Sequence, residues 1–482
     1  MHLNTLVLLT ATIAISSSWA ADDPYLWLED IDGEAALEWV LAENKSTAER
    51  LKSKPIFEEL YSQAKAALNS NSRLPDVDQE GDWLYNFWKD ENHPRGVYRR
   101  TTLDEFAKDE PAWETVIDVD ALNTAENKQW VFKGMDCLPK RPDKCMVRLS
   151  PGGGDAVVIR EFNSVTKAFV ENGFHLPLAK GGTGWIDADT LYVSTDFGEG
   201  SMTESGYPRI AKRWSRGKPL AAAETLYEGQ VSSFSTYAVR MRSAGPDIDL
   251  VREGLTFWTT HWHQLVDGGL HRLDLPATAV VNSAFQGRLV ISLKQDWRRG
   301  DTTYPQGAVL VADTSALRGN ANGVIDILVE PDDTTVVEAV TATDDTILVT
   351  MLENVRGKIY RYNPGPEGSW KRSLVSFPDN GSLQITSTDD ASGNFFAKFE
   401  SFTSPPALYH VAAGDWQPQK MKSQDPTFDG SRYQTKQYFA TSKDGTRVPY
   451  FVVLARDTER NGKNPTHIFS YGGFRNSLTP SY

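Results

Sequence analysis

Val336-Val-Glu-Ala-Val-Thr-Ala342, Thr346-Ile-Leu-Val-Thr-Met-Leu-Glu353 and Lys358-Ile-Tyr-Arg-Tyr-Asn363 follow one another in a single unbroken stretch. Each run is rich in β-branched and apolar residues, and turn formers separate them: Asp344-Asp345 before the second, Asn354 and Gly357 before the third. No helix fits between them, so the stretch predicts short strands joined directly by turns.

The same texture extends outward from there, beginning beyond Pro75 and lasting about 350 residues, far longer than one sandwich needs. Towards the N-terminus the expected strands are 83–88, 97–101, 114–118, 146–149, 156–162, 190–194, 210–214, 255–260, 289–293 and 308–312; towards the C-terminus they are 383–388, 394–401 and 407–412. Blocks of roughly fifty residues without a strict period favour a β-propeller over two stacked sandwiches. The fold class expected is therefore mainly β, with the propeller over residues 75–426.

Residues 21–74 read differently. Leu37, Val40 and Leu41, then Phe57, Leu60, Tyr61, Ala64 and Leu68 after Pro55, recur at helical spacing and predict an amphipathic helical pair. Ahead of them, residues 1–20 combine an apolar Leu3-to-Ile15 core with small Ser18 and Ala20, the pattern of a secretory signal cleaved before Ala21. The apolar core is too short for a permanent span, so no stable membrane insertion is expected after cleavage, and the location expected is secreted or periplasmic. Export bears on Cys137 and Cys145, which flank a Pro-rich turn and are expected to close a disulfide, the alternative being two free thiols on neighbouring strands.

Lys plus Arg at 50 against Asp plus Glu at 64 gives −14, a balance that excludes nucleic acid as a partner. His261-Trp-His263 has no third ligand nearby, so no metal is expected. Gly152-Gly-Gly154 lacks the Gly-Lys-Ser/Thr of a phosphate loop and reads as a turn, as do Asp332-Asp333 and Asp344-Asp345. No cofactor motif is present, and a monomer is expected.

After residue 426, Asp444-Gly445 sits between two apolar runs, a hairpin pattern, and the chain then reads His467-Ile-Phe-Ser-Tyr-Gly-Gly-Phe-Arg-Asn476. An apolar run ending in Tyr471-Gly472-Gly473-Phe474 predicts a buried strand that delivers a glycine-rich loop to a site, because two glycines let backbone approach a ligand closely.

This segment resembles the oxyanion loop of the prolyl oligopeptidase family of serine peptidases. Similar likeness is carried by the Asp22-Asp23-Pro24-Tyr25-Leu26-Trp27 opening, by Ser150-Pro-Gly-Gly-Gly-Asp-Ala156, by Gly206-Tyr-Pro-Arg-Ile-Ala-Lys-Arg-Trp-Ser-Arg-Gly217 and by Ser401-Phe-Thr-Ser-Pro-Pro-Ala-Leu-Tyr409. The resemblance implies a seven-bladed propeller, an N-terminal extension (21–74) packed on the catalytic domain, and an α/β-hydrolase domain begun at 427–482. It implies that the Tyr471 hydroxyl donates to the oxyanion, that Gly472 and Gly473 shape the loop, and that Phe474 lines the proline pocket, although Arg475 departs from the family's small or polar residue. The implied reaction is hydrolysis of short peptides after proline, with the propeller as a size filter. No Ser has glycines two before and two after: Ser150 and Ser215 have Gly152 and Gly217 after them but Arg148 and Arg213 before. The nucleophile, acid and base are thus expected beyond Tyr482, and the chain by itself is expected to be inactive. Two alternatives stay open: a propeller that binds a peptide or glycan without catalysis, and an oligopeptidase with a preference for basic residues.

Overall fold

Sequential antiparallel pairing organises the structure. The computed structural model describes residues 23–30, 32–68, 73–472 and 477–482; the expected signal segment 1–20, Gly473 and Phe474 lie outside the described residues. The chain divides into two compact units, Met1–Ser70 and Asn71–Tyr482.

In the first unit, helices Glu34–Lys52 and Phe57–Leu68 form where the sequence pattern places them. Their apolar side chains are largely exposed, Leu41 at 68% and Tyr61 at 55%. No described helix is long and apolar enough to cross a membrane.

The second unit holds seven four-stranded meanders, each made of consecutive residues. The blade read first in the sequence, the sixth, comprises Thr335–Ala342, Ile347–Glu353, Arg356–Pro364 and Trp370–Val375. Its second strand is buried along nearly its whole length, since blades pack on both faces of it. The first blade runs from Asp78–Glu80 to Glu114–Asp118 and the second from Trp130–Leu138 to Ala168–Phe169, with His175–Ala179 added against its third strand. The third spans 182–228, the fourth 235–272, the fifth 280–329 with a small hairpin inserted before its third strand, and the seventh 382–423. First strands of neighbouring blades touch, as Asp78–Glu80 does Ser382–Thr388, so these strands surround the axis.

One expected strand is not one. Of the expected 255–260, residues 255–259 form the turn between Ile248–Gly254 and Thr260–Val266, closed by the Leu255 amide donating to the Thr259 carbonyl at 2.8 Å. Phe257 and Trp258 gave the stretch its apolar look, yet they stand 75% and 60% exposed at the turn's tip.

Hydrophobic clusters weld most blade junctions. Tyr85, Val119 and Val147 join blades one and two; Leu250, Leu289 and Leu310 join four and five; Leu348, Phe395 and Val411 join six and seven. Each fully buried side chain of this size contributes about 1.5–3 kcal/mol. Blades three and four meet through polar contacts as well: Arg240 and Arg242 donate to the Ile186 and Trp185 carbonyls at 3.0 and 2.7 Å. The ring closes between blades seven and one without a shared sheet, through Val77, Leu84, Phe106, Phe396 and Leu408 and through the Gln79 amide donating to Ser387 Oγ at 2.7 Å.

Cys137 and Cys145 pair in register across the first two strands of the second blade and are disulfide-bonded. The closed loop is short, so reduction or Cys137→Ser is expected to cost about 2–3 kcal/mol of unfolding free energy. Denaturant melts of the oxidised and reduced protein measure it, and equal midpoints would show that the bond constrains nothing the hairpin does not already fix.

Candidate functional site

The segment after the seventh blade builds the candidate site. Strands Tyr433–Thr441 and Arg447–Ala455 pair over their full length, as the Asp444-Gly445 turn predicts. Gly445 takes φ +88, a conformation an L side chain resists, while Asp444 Oδ1 accepts from the Thr446 amide at 3.0 Å. The hairpin sits on turns that join second to third strands: Phe451 packs on Phe402 with ring centroids 5.5 Å apart, and Gln437 Nε2 donates to the Asn354 carbonyl. Asn354 and Val355 both have positive φ, which is unusual for a β-branched residue and marks a tight, strained turn under the hairpin.

Beyond Ala455 the chain leaves the sheet. The expected strand at 467–470 is absent, and its apolar side chains are exposed, Ile468 at 85% and Phe469 at 76%. A buried strand needs neighbours on both edges and both faces, and among the described residues none flanks this one. Tyr471 is half exposed, with no side-chain hydrogen bond among the described residues, and a Cβ on Gly472 would meet nothing within 4 Å. The open environment leaves the Tyr471 hydroxyl available to an acceptor. Farther on, Tyr482 stacks on Phe428 at 5.1 Å, its hydroxyl accepts from the Thr427 amide at 2.8 Å, and its own amide donates to Glu400 Oε2 at 3.1 Å. The hairpin and Tyr482 are thus both seated on the part of the propeller that carries the Asn354 and Phe402 turns.

Carboxylates cluster near the axis, a feature with no sequence pattern to announce it. Asp78 and Glu80 lie on the first strand of blade one, reached by solvent yet surrounded by protein. Burial, then Asp78 and Asp136, pushes the Glu80 carboxyl up to about 7, and burial, then Asp76, raises Asp78. The histidine pair is differently placed. His261 Nε2 lies 2.7 Å from the Arg272 guanidinium, and His263 packs against Tyr227 at 4.8 Å. Burial, then Arg272 for His261, holds both imidazoles below their ordinary range. The Gly152–Gly154 region is a turn, with Ser150 Oγ donating to the Gly154 carbonyl at 2.9 Å, and Asp332 caps its own turn by accepting from the Thr334 amide at 2.7 Å.

A closed ring of seven blades followed by a separate hairpin at its rim defines a β-propeller protein whose chain runs on past the ring. Residues 15–424 match the model of the prolyl oligopeptidase N-terminal β-propeller domain. The chain belongs to the prolyl oligopeptidase family of peptidases. It is 36% identical over 472 residues to an uncharacterized peptidase, y4nA, of Sinorhizobium fredii (strain NBRC 101917 / NGR234), covering 96% of this chain and 65% of that relative's length. Among solved structures it is similar to a post-proline cleaving enzyme from Rickettsia typhi, with a TM-score of 0.86 at 24% identity over 94% of this chain and 68% of that one. It is similar too to oligopeptidase B from Leishmania major, with a TM-score of 0.68 at 17% identity over 91% of this chain and 61% of that one.

Proposed function

We propose that the chain forms the propeller and the first part of the catalytic domain of an exported serine oligopeptidase that hydrolyses short peptides after proline. The supporting observation is the segment 456–472, which runs from a hairpin seated on the propeller rim and ends with Tyr471 free to donate and Gly472 free of contacts. In acyl transfer such a donor is useful because negative charge develops on the carbonyl oxygen only in the transition state. The propeller restricts passage, so folded proteins are excluded and short peptides pass. Because no Gly-x-Ser-x-Gly elbow occurs in these 482 residues, the chain by itself has no turnover.

Expressing the complete reading frame with Tyr471→Phe tests the role. Loss of one oxyanion donor lowers kcat about 100- to 1,000-fold, with KM for a proline reporter peptide little changed. A variant that keeps wild-type kcat sinks the assignment of Tyr471. Preference for a basic residue is the second reading, favoured by the Asp78 and Glu80 carboxylates near the axis. Paired reporters carrying proline or arginine before the scissile bond decide between the two.

A further inference from the structure

A cavity of about 390 Å³ opens between blades six and seven, within the roughly 300–1,000 Å³ range of small-molecule sites. It is walled by the turns 343–346, 389–394 and 412–417 and by the facing ends of the third and fourth strands of blade six. Those turns join first to second or third to fourth strands, whereas the hairpin rests on turns that join second to third. In an antiparallel blade the two sets lie at opposite ends of the strands. The cavity therefore opens on the face away from the hairpin and is independent of the peptidase reading.

Four charged side chains line it, and they do not satisfy one another. Arg361 and Lys371 come from blade six, Asp345 from its first turn and Asp390 from the first turn of blade seven. Among the described residues no ion pair joins any of them, although exposed pairs close readily elsewhere, as Arg213 and Glu224 do at 2.6 Å. The Arg361 guanidinium stacks over the Trp416 ring at 4.6 Å, and its Nε is buried without a hydrogen-bond partner. Among the described residues the guanidinium donates no hydrogen bond, so an acceptor entering the cavity meets N–H groups that nothing else in the protein occupies. Trp416 itself is held at φ +56, a strained conformation for a bulky residue, by its amide donating to the Ala412 carbonyl at 3.0 Å.

Asp390 shows the opposite deficit. Asp390 stands at the solvent-exposed edge of the cavity, where partial burial of its carboxyl, then Asp344 and Asp389, pushes it up to about 6, and among the described residues no ion pair offsets them. One wall thus lacks an anion and the other a cation. A ligand with both charges on a short frame meets both needs.

We propose that this cavity binds a small zwitterionic peptide, its carboxylate on Arg361 and Lys371 and its ammonium on Asp390 and Asp345. A free amino acid shares this chemistry, and the experiment separates it by length.

The test is titration calorimetry of the 482-residue chain with alanyl-alanine, alanine, N-acetyl-alanyl-alanine and alanyl-alanine amide at pH 7.5. Alanyl-alanine is expected to bind saturably, and blocking either end to weaken binding about tenfold or more, the effect of a lost charge-assisted hydrogen bond. Alanine binding as tightly as the dipeptide would assign the site to amino acids, overturning the peptide. Asp390→Asn is expected to abolish discrimination against the N-acetylated peptide, and Lys371→Gln discrimination against the amide. Lys371 is exposed, so this variant folds even where Arg361→Gln does not. Binding should also weaken as pH falls through about 6, where Asp390 takes up a proton among Asp344, Asp345, Asp389, Arg361 and Lys371. No saturable heat, or blocked peptides bound as tightly as the free one, overturns the proposal. Tyr471→Phe leaves this binding unchanged, so the two functional readings fail separately.

Discussion

Phe396→Ala is expected to lower the unfolding free energy by about 3–5 kcal/mol, the range for removing a buried aromatic ring from a packed core. Phe396 is fully buried and meets Phe106 of blade one at 6.1 Å and His410 at 5.0 Å. Its cluster with Val77, Leu84, Phe106 and Leu408 is what closes the ring, because no ladder of backbone hydrogen bonds crosses this junction among the described residues. The Gln79 amide bond to Ser387 Oγ and the Lys422 ammonium on the Lys108 carbonyl also cross this junction and stay in place in the variant, so the loss reads the packing of the ring itself. Denaturant unfolding should show a lower midpoint with an unchanged slope, the mark of a stability change without altered compactness. A loss below about 1 kcal/mol, smaller than even one deleted buried side chain normally costs, would mean that the seam is held by something other than this cluster.

Glu161→Ala is the second large effect. Glu161 is 1% exposed, accepts from Arg216 at 2.7 and 3.0 Å and from the Phe174 amide at 2.9 Å, and lies 3.5 Å from Lys144. Removing it strands the Arg216 guanidinium and the Phe174 amide, a kind of loss that costs about 3–5 kcal/mol. Arg216 is about a quarter exposed, and its bond to Asp189 at 2.7 Å survives, so the lower end of that range is expected. The wild-type pH dependence follows from the same contacts. Burial pushes the Glu161 carboxyl up, but the Arg216 bonds, the Phe174 amide and Lys144 together outweigh it and hold the group below its ordinary 4.5. A lowered carboxylate pKa means stability fully present above about pH 4.5 and lost as pH falls through the folded-state value. The variant should lack that portion of the acid transition. An acid profile identical to wild type would remove Glu161 from the account.

Much of the ring could be read from residues alone because its second and third strands are buried on both faces and so carry dense apolar runs. Ile347–Glu353 and Phe395–Ser401 stood out for that reason. Several outer and axial strands did not: Asp78–Glu80 and Pro418–Ser423 are short, polar and half solvated, and nothing in their composition separates them from turns. The error at 255–260 has the same root, since Phe257 and Trp258 are apolar without being buried. Of the site, Cys137 with Cys145 and the Asp444-Gly445 turn were legible because each is local. The Arg361 and Asp390 cavity was not, because it exists only where two blades converge. Asp344-Asp345 read as plain turn residues, and the proximity of Asp344 to Asp390 is a fact of packing that adjacency in sequence cannot express.

Every sheet of the ring is assembled from an uninterrupted length of chain, and the junction at Phe396 and Phe106 carries no strand from the other side. The natural ends of the ring therefore coincide with a joint rather than a cut. Rearranging the gene so that the polypeptide starts at any other blade boundary would leave every hydrogen-bonded ladder whole, and a blade could be gained or lost by duplicating or deleting one continuous stretch of coding sequence.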